Sequence, residues 1–209
     1  GIKDPDKILN DFCEEVNGIM RTSEVIMTLE RVAARKISPA HPEYELHAAA
    51  LYLASVLSKD WNGIYPKIED LVGTTKIDQV MLEAYRPHFD ALNAAMVLER
   101  DNLFTYKSAT VFHKKYCHDI SLSGKKELPQ LTYMRAAMFL GYRDKIDLST
   151  VIDYCNALST HKITLATPII INALTIRPQT SSCCLMEVGD NTDSLLDVGK
   201  TLGTMSAWL

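Results

Sequence analysis

Five cysteines, at positions 13, 117, 155, 183 and 184, are the residues of this chain best equipped for redox or nucleophilic chemistry. An odd number without regular spacing does not describe a secreted disulfide framework. No Cys-x-x-Cys pair and no His/Cys cluster has the spacing of a zinc site. Cys183 and Cys184 adjoin, and neighbours bridge one another only with strain, so no disulfide is expected between them. By residue type, three of the five read as core thiols, because free cysteine is among the most buried residues. Cys183 taken alone reads that way too, as a thiol in a buried strand, and alternation puts Cys184 on the opposite side as core packing. Ser182 reads as a strand-end hydroxyl, Thr167 as a strand threonine, and Asp190 as a turn or N-cap aspartate. No glycine-rich phosphate loop accompanies them.

The elements that must position these residues are mostly helical. Thr22 and Ser23 suit an N-cap, and Val25, Ile26, Leu29, Val32 and Ala33 follow at helical spacing. Ser38-Pro39-Ala40-His41-Pro42 ends that helix, since proline cannot continue it. A second helix is predicted over 43–58, shorter ones around 66–72 and 77–84, then 88–99, 106–116, 129–140 and 147–160. Ser121 to Lys126 reads as a turn in which Gly124 takes positive φ. Near Lys162 the character changes. Ile163-Thr164-Leu165 with Ile169-Ile170-Ile171, and then Ser181 to Val188, are β-branched or apolar, as in buried strands. A last helix carries Leu195, Val198, Leu202, Met205 and Leu209, a narrow apolar stripe suited to another helix. Two strands apolar on both faces need neighbours, so the chain is expected to end inside a domain.

Composition narrows the function classes. Apolar residues make up 47% and charged residues 23%, which describes a core-forming protein and not a disordered tail. The net charge of −4 argues against a nucleic-acid binder. No apolar run reaches transmembrane length, and the polar start Gly1-Ile2-Lys3-Asp4-Pro5 lacks a signal segment, so a cytoplasmic location is expected.

The segment His161-Lys162-Ile163-Thr164-Leu165-Ala166-Thr167-Pro168-Ile169, followed by Arg177-Pro178-Gln179-Thr180-Ser181-Ser182-Cys183, resembles the first barrel strands of class I ribonucleotide reductase large subunits. The Ala-Thr-Pro tripeptide and the Ser-Ser-Cys block keep the family spacing, with Thr167 and Cys183 sixteen residues apart. Leu185-Met186-Glu187-Val188-Gly189-Asp190, Arg100-Asp101, Leu128-Pro129-Gln130, Met134-Arg135 and Ala157-Leu158-Ser159 are similar to family motifs as well. The resemblance covers about residues 22 to 209.

What the resemblance implies is specific. Residues 1–160 would be a mostly α N-terminal domain, and 161–209 the first strands and interface helix of an incomplete α/β barrel. Cys183 would be one of two thiols on opposing strands that close to a disulfide while the ribose 2′ carbon is reduced. The second thiol would come from a complementary C-terminal fragment. Thr167 would contact the substrate near its diphosphate, Ser182 would lie against the substrate beside Cys183, and Asp190 would bind the ribose of a nucleoside triphosphate effector. Further implied partners are a small radical-generating subunit holding a metal-based radical cofactor, a large-subunit dimer partner, and thioredoxin or glutaredoxin. Neither a metal in this chain nor a membrane or nucleic-acid partner is implied. Only about twenty residues precede the matched region, too few for the family's ATP-binding regulatory domain. A class II reductase shares the barrel motif, but the long helical region favours class I. The alternative is a non-catalytic regulatory or assembly module built on the same scaffold.

Overall fold

The computed structural model describes all residues except 1–4, 17, 121–123, 145–146 and 209. Ten α-helices order the described chain: α1 (Pro5–Glu15), α2 (Thr22–Arg35), α3 (Glu43–Trp61), α4 (Gln79–Ala84), α5 (Phe89–Ala95), α6 (Tyr106–Lys115), α7 (Pro129–Asp144), α8 (Leu148–Ser159), α9 (Thr167–Asn172) and α10 (Thr192–Trp208). Tighter 3₁₀ turns fill in at Ile68–Leu71, Arg86–His88 and Leu98–Leu103. The proline-rich stretch after α2 breaks the chain as its sequence requires, and α3 restarts directly behind Pro42. Thr22 and Ser23 turn out to be the first residues of α2, and Arg21 holds the capping position. The Glu24 carboxylate accepts the Arg21 N–H at 2.9 Å, the N3-to-N-cap half of a capping box. Gly124 has φ +77°, as the expected turn demands, although 121–123 lie outside the described residues.

The centre of the molecule is α7. Its residues from Pro129 to Phe139 are all buried, because α8, α9 and the 3₁₀ turn Leu98–Leu103 pack around it while α3 braces α6 behind. Leu131, Met134 and Met138 are fully enclosed, each stabilising the fold by about 2 kcal/mol through burial. A helix surrounded in this way has no wet face for polar residues. Gln130, Thr132 and Arg135 are nevertheless fully buried on it, so their partners must be built into the fold. A smaller cluster of Ile8, Val32 and Tyr44 joins α1, α2 and α3, fringed by the Arg31–Glu15 and Arg35–Glu15 ion pairs.

The expected strands are absent from the described residues, where pairing is limited to isolated bridges such as Ile77 with Thr175. Ile169-Ile170-Ile171 lies in the short helix α9, led by Pro168 in its first turn. β-Branched residues prefer strands only where a pleated neighbour receives them. Here Ile170 is buried and the carbonyls of Ile171 and Ala173 are taken by side chains, so tertiary docking decides for a helix. Ile163-Thr164-Leu165 is irregular, and residues 181–188 form no ladder and are largely exposed, Leu185 to 96%. With no partner strand there is nothing to bury them against. The apolar stripe of α10 is only partly covered for the same reason, with Leu195 and Leu202 exposed and Val198 and Met205 half-buried; its last member, Leu209, lies outside the described residues. No helix among the described residues is long and apolar enough to cross a membrane.

Two buried polar groups bear on how stability responds to pH. Asp101 accepts hydrogen bonds from Tyr65 Oη (2.8 Å) and Gln130 Nε2 (2.9 Å). Burial nonetheless pushes its carboxyl up to about 6, against the pull of those two donors. His113 pairs through Nδ1 with Tyr52 Oη at 2.9 Å, while its buried Nε2 has no partner. Burial, helped by the Lys126 charge, brings its imidazole down to about 4. The signs are opposite. Asp101 binds its proton more tightly folded than unfolded, so it adds stability as pH falls through 6; His113 binds less tightly folded, so it removes stability as pH falls from 6.5 toward 4. Asp101→Asn should therefore steepen the acid-side loss of stability by ~3 kcal/mol between these limits. Urea unfolding midpoints at a series of pH values read this slope, and parallel profiles for the two proteins would refute it.

Candidate functional site

A polar network runs through the buried face of α7. Arg135 donates from Nε to Glu127 Oε1 at 2.6 Å and from Nη2 to Oε2 at 3.1 Å, and both side chains are 0% exposed. Glu127 Oε2 also receives the Thr132 hydroxyl at 3.0 Å and the His118 backbone N–H at 3.1 Å. Burial alone would raise this carboxyl. The facing guanidinium and the converging donors outweigh it and hold the carboxyl below its ordinary value. The carboxylate is thus fully satisfied.

The same guanidinium reaches outward. Its Nη1 donates to the Ala173 carbonyl at 2.5 Å and its Nη2 to the Tyr116 carbonyl at 3.4 Å. His118 Nε2 meets the Ile171 carbonyl. Since a carbonyl only accepts, Nε2 carries the hydrogen and the tautomer follows. These bonds satisfy the C-terminal end of α9, which is too short to be held by its own backbone pairing. At the other end of α9, the Tyr116 and Thr167 hydroxyls lie 3.0 Å apart. Thr167 is therefore anchored from both ends of its helix.

The remaining expected site residues lie along the segment after α9. Asn172 Nδ2 donates to the Gln179 carbonyl at 2.6 Å, and Gln179 Oε1 accepts the Ser181 N–H at 2.9 Å, which sets the path of the chain into Ser182 and Cys183. Ser182 and Cys183 are exposed, their side chains adjacent at 3.8 Å. Cys184 is exposed as well, so its expected place in the core is corrected: the extended segment has no second layer to bury either thiol. Of the five cysteines only Cys117 and Cys155 are buried, two where three core thiols were expected, because Cys13 is on the surface. Burial drives the Cys155 thiol up to about 12, which leaves it inert. Asp190 precedes α10 but does not cap it. Asn191 does, accepting the Ser194 N–H at 2.9 Å, while Ser194 Oγ accepts the Gly189 N–H at 2.8 Å. Among the described residues no hydrogen bond joins Thr167 to Ser182 or Cys183, and no cluster of His, Cys, Asp or Glu has the makings of a metal site.

Comparison with known proteins places this geometry. The family described as the ribonucleotide reductase all-alpha domain matches residues 102–178, the stretch that holds α6 to α9 and the Glu127–Arg135 network. The ribonucleoside-diphosphate reductase subunit alpha of Haemophilus influenzae is 31% identical over 185 residues, covering 84% of this chain. The chain matches the N-terminal portion of class I ribonucleotide reductase large subunits. The Escherichia coli ribonucleoside-diphosphate reductase 1 subunit alpha is 30% identical over 185 residues, and the phage T4 subunit alpha 31% identical over 201 residues. The chain spans about a quarter of these relatives, 24% of the two bacterial subunits and 26% of the phage one.

Within the reductase family framework, the upstream motifs acquire physical roles. Arg100 donates to Asn156 Oδ1 (2.7 Å) and Ser159 Oγ (2.6 Å), pinning α8 to the 3₁₀ turn that carries Asp101. Gln130 reaches Asp101, and Arg135 together with Thr132 reaches Glu127, all from the buried face of α7. Sequence reasoning missed Tyr116, His118 and Glu127. The available signal was Glu127 itself, a carboxylate opening the apolar run that contains Arg135.

Proposed function

We propose that this chain supplies the N-terminal part of the catalytic subunit of a ribonucleoside-diphosphate reductase, working in the cytoplasm with the rest of that subunit. The observation that carries this reading is the similarity, over most of the chain, to subunits named for that activity. An accessible Cys183 beside Ser182, and a Thr167 hydroxyl held in place by a buried ion-pair network, are consistent with it.

Replacing a ribose hydroxyl by hydrogen consumes two electrons and two protons and releases water. A dithiol supplies both electrons and both protons as it closes to a disulfide. In this reading Cys183 is one of the two thiols, and the other comes from the remainder of the subunit. Thr167 contacts the substrate near its diphosphate, Ser182 lies beside the reacting thiol, and Asp190 binds the ribose of a nucleoside triphosphate effector. Residues 161–209 become part of an α/β barrel when the rest of the subunit adds its strands, and α10 packs against a second large subunit. A small subunit with a metal-based radical cofactor initiates the chemistry, and thioredoxin or glutaredoxin regenerates the dithiol.

Reconstitution tests the reading. The chain, a polypeptide carrying the remaining large-subunit sequence, and the small subunit are mixed with a nucleoside diphosphate, effector and a dithiol reductant. Deoxynucleotide should form only when all three proteins are present. Assembly of the three without deoxynucleotide, or product formed without this chain, overturns the proposal.

A further inference from the structure

The geometry points to Tyr116 as a positioning residue that orients the Thr167 hydroxyl toward an anionic oxygen of the substrate; this rests on the reading of Thr167 as a substrate contact. The two hydroxyls are 3.0 Å apart, and each has one hydrogen to give. A threonine that donated to Tyr116 would offer a phosphate only lone pairs, which repel it. A threonine that accepts from Tyr116 keeps its own O–H free to donate. The phenol is the stronger acid and hence the better donor, and a hydroxyl that accepts one bond donates the next more strongly. Tyr116 therefore donates, and Thr167 passes the polarity on to the substrate.

Tyr116 is fixed well enough to do this. Its carbonyl is held by Arg135 Nη2, its ring packs on Phe112 with centroids 5.2 Å apart, and Lys115 Nζ sits 5.3 Å from the ring centroid. Arg135 also holds the Ala173 carbonyl, so one guanidinium sets both the tyrosine and the helix bearing Thr167. The hydroxyl pair closes a ring of contacts whose other members are buried.

The test uses the assembled reductase. Tyr116→Phe should raise KM for the nucleoside diphosphate about three- to tenfold, as for one lost hydrogen bond, with kcat nearly unchanged. Thr167→Val should raise KM at least as much, and the double variant should be no worse than Thr167→Val. If Thr167→Val raises KM while Tyr116→Phe leaves it alone, or if the two effects multiply, the positioning role fails and the substrate contact stands. If Thr167→Val leaves KM unchanged in active enzyme, the substrate-contact reading itself fails. A fluorinated tyrosine at 116 keeps the shape and the hydroxyl but ionises at lower pH. Its KM should climb as the phenol loses its proton and can no longer donate, a pH profile that a merely structural tyrosine would not produce; a flat profile overturns the inference.

Discussion

Arg135→Met is expected to lower the stability of the fold by about 3–5 kcal/mol at neutral pH, the usual loss when one partner of a buried ion pair is removed. The reason is what it leaves behind. Glu127 would keep the Thr132 hydroxyl and the His118 N–H but would lose the guanidinium charge that faces it at hydrogen-bond distance. Burial, which already opposes its ionisation, would then dominate, and the carboxyl would move from below its ordinary value to above it. The pH dependence follows from that reversal. In the native chain the lowered carboxyl adds stability above the ordinary carboxylate range and loses it as pH falls; in the variant the raised carboxyl brings a penalty that grows as pH rises through that range. The difference between the two proteins should be largest at pH 7 and smaller near pH 4. Urea unfolding with an unchanged m-value measures both. Glu127→Leu combined with Arg135→Met should recover part of the loss, since no charge remains buried, but the Ala173 and Tyr116 carbonyls would still lack their donor. A loss below about 1 kcal/mol that is the same at both pH values would mean that water reaches the pair and that it behaves as a surface ion pair.

The network behind that prediction also explains what could and could not be read in the sequence. Periodicity placed α3, α6, α7 and α8, because amphipathic spacing and proline breaks are local signals that packing reinforces. It misassigned Ile169–Ile171 because three β-branched residues state a preference, whereas the outcome depended on Arg135 and His118, more than thirty residues upstream, taking carbonyls at the end of α9. It put Cys184 and residues 181–188 in a core because apolar residues imply burial only where a second layer exists. Helix capping shows the same limit on a smaller scale: Asp190 and Asn191 are both good caps by type, and only the path of the turn selects Asn191. Thr167, Ser182, Cys183 and Asp190 were named through family resemblance, and their roles belong to the proposed function. The residues that hold Thr167 in place were not, since a phenol 51 positions away has no local signature.

Cys183→Ser should reduce multiple-turnover deoxynucleotide formation in the reconstituted reductase by about 10³-fold or more, equivalent to about 4 kcal/mol in the barrier. Serine matches the thiol closely in shape and keeps a hydrogen-bonding group next to Ser182, so packing and substrate binding should change little. What it lacks is redox chemistry: an alcohol cannot close to a disulfide, and one remaining thiol cannot deliver two electrons from a single bond-forming step. Cys184→Ser is the control. Cys184 is exposed in this chain, so the substitution should leave the chain's own stability near native, and because Cys184 is not a member of the proposed dithiol pair, turnover should stay near native as well. The two variants together separate the chemistry from the general sensitivity of this segment. If both lose activity alike, the segment is simply intolerant of change. If Cys183→Ser sustains many turnovers while substrate and reductant are consumed in equal amounts, the electrons reach the ribose by a route that does not pass through this thiol. If only Cys183→Ser fails, and fails with KM unchanged, the defect lies in electron supply, as a dithiol mechanism requires.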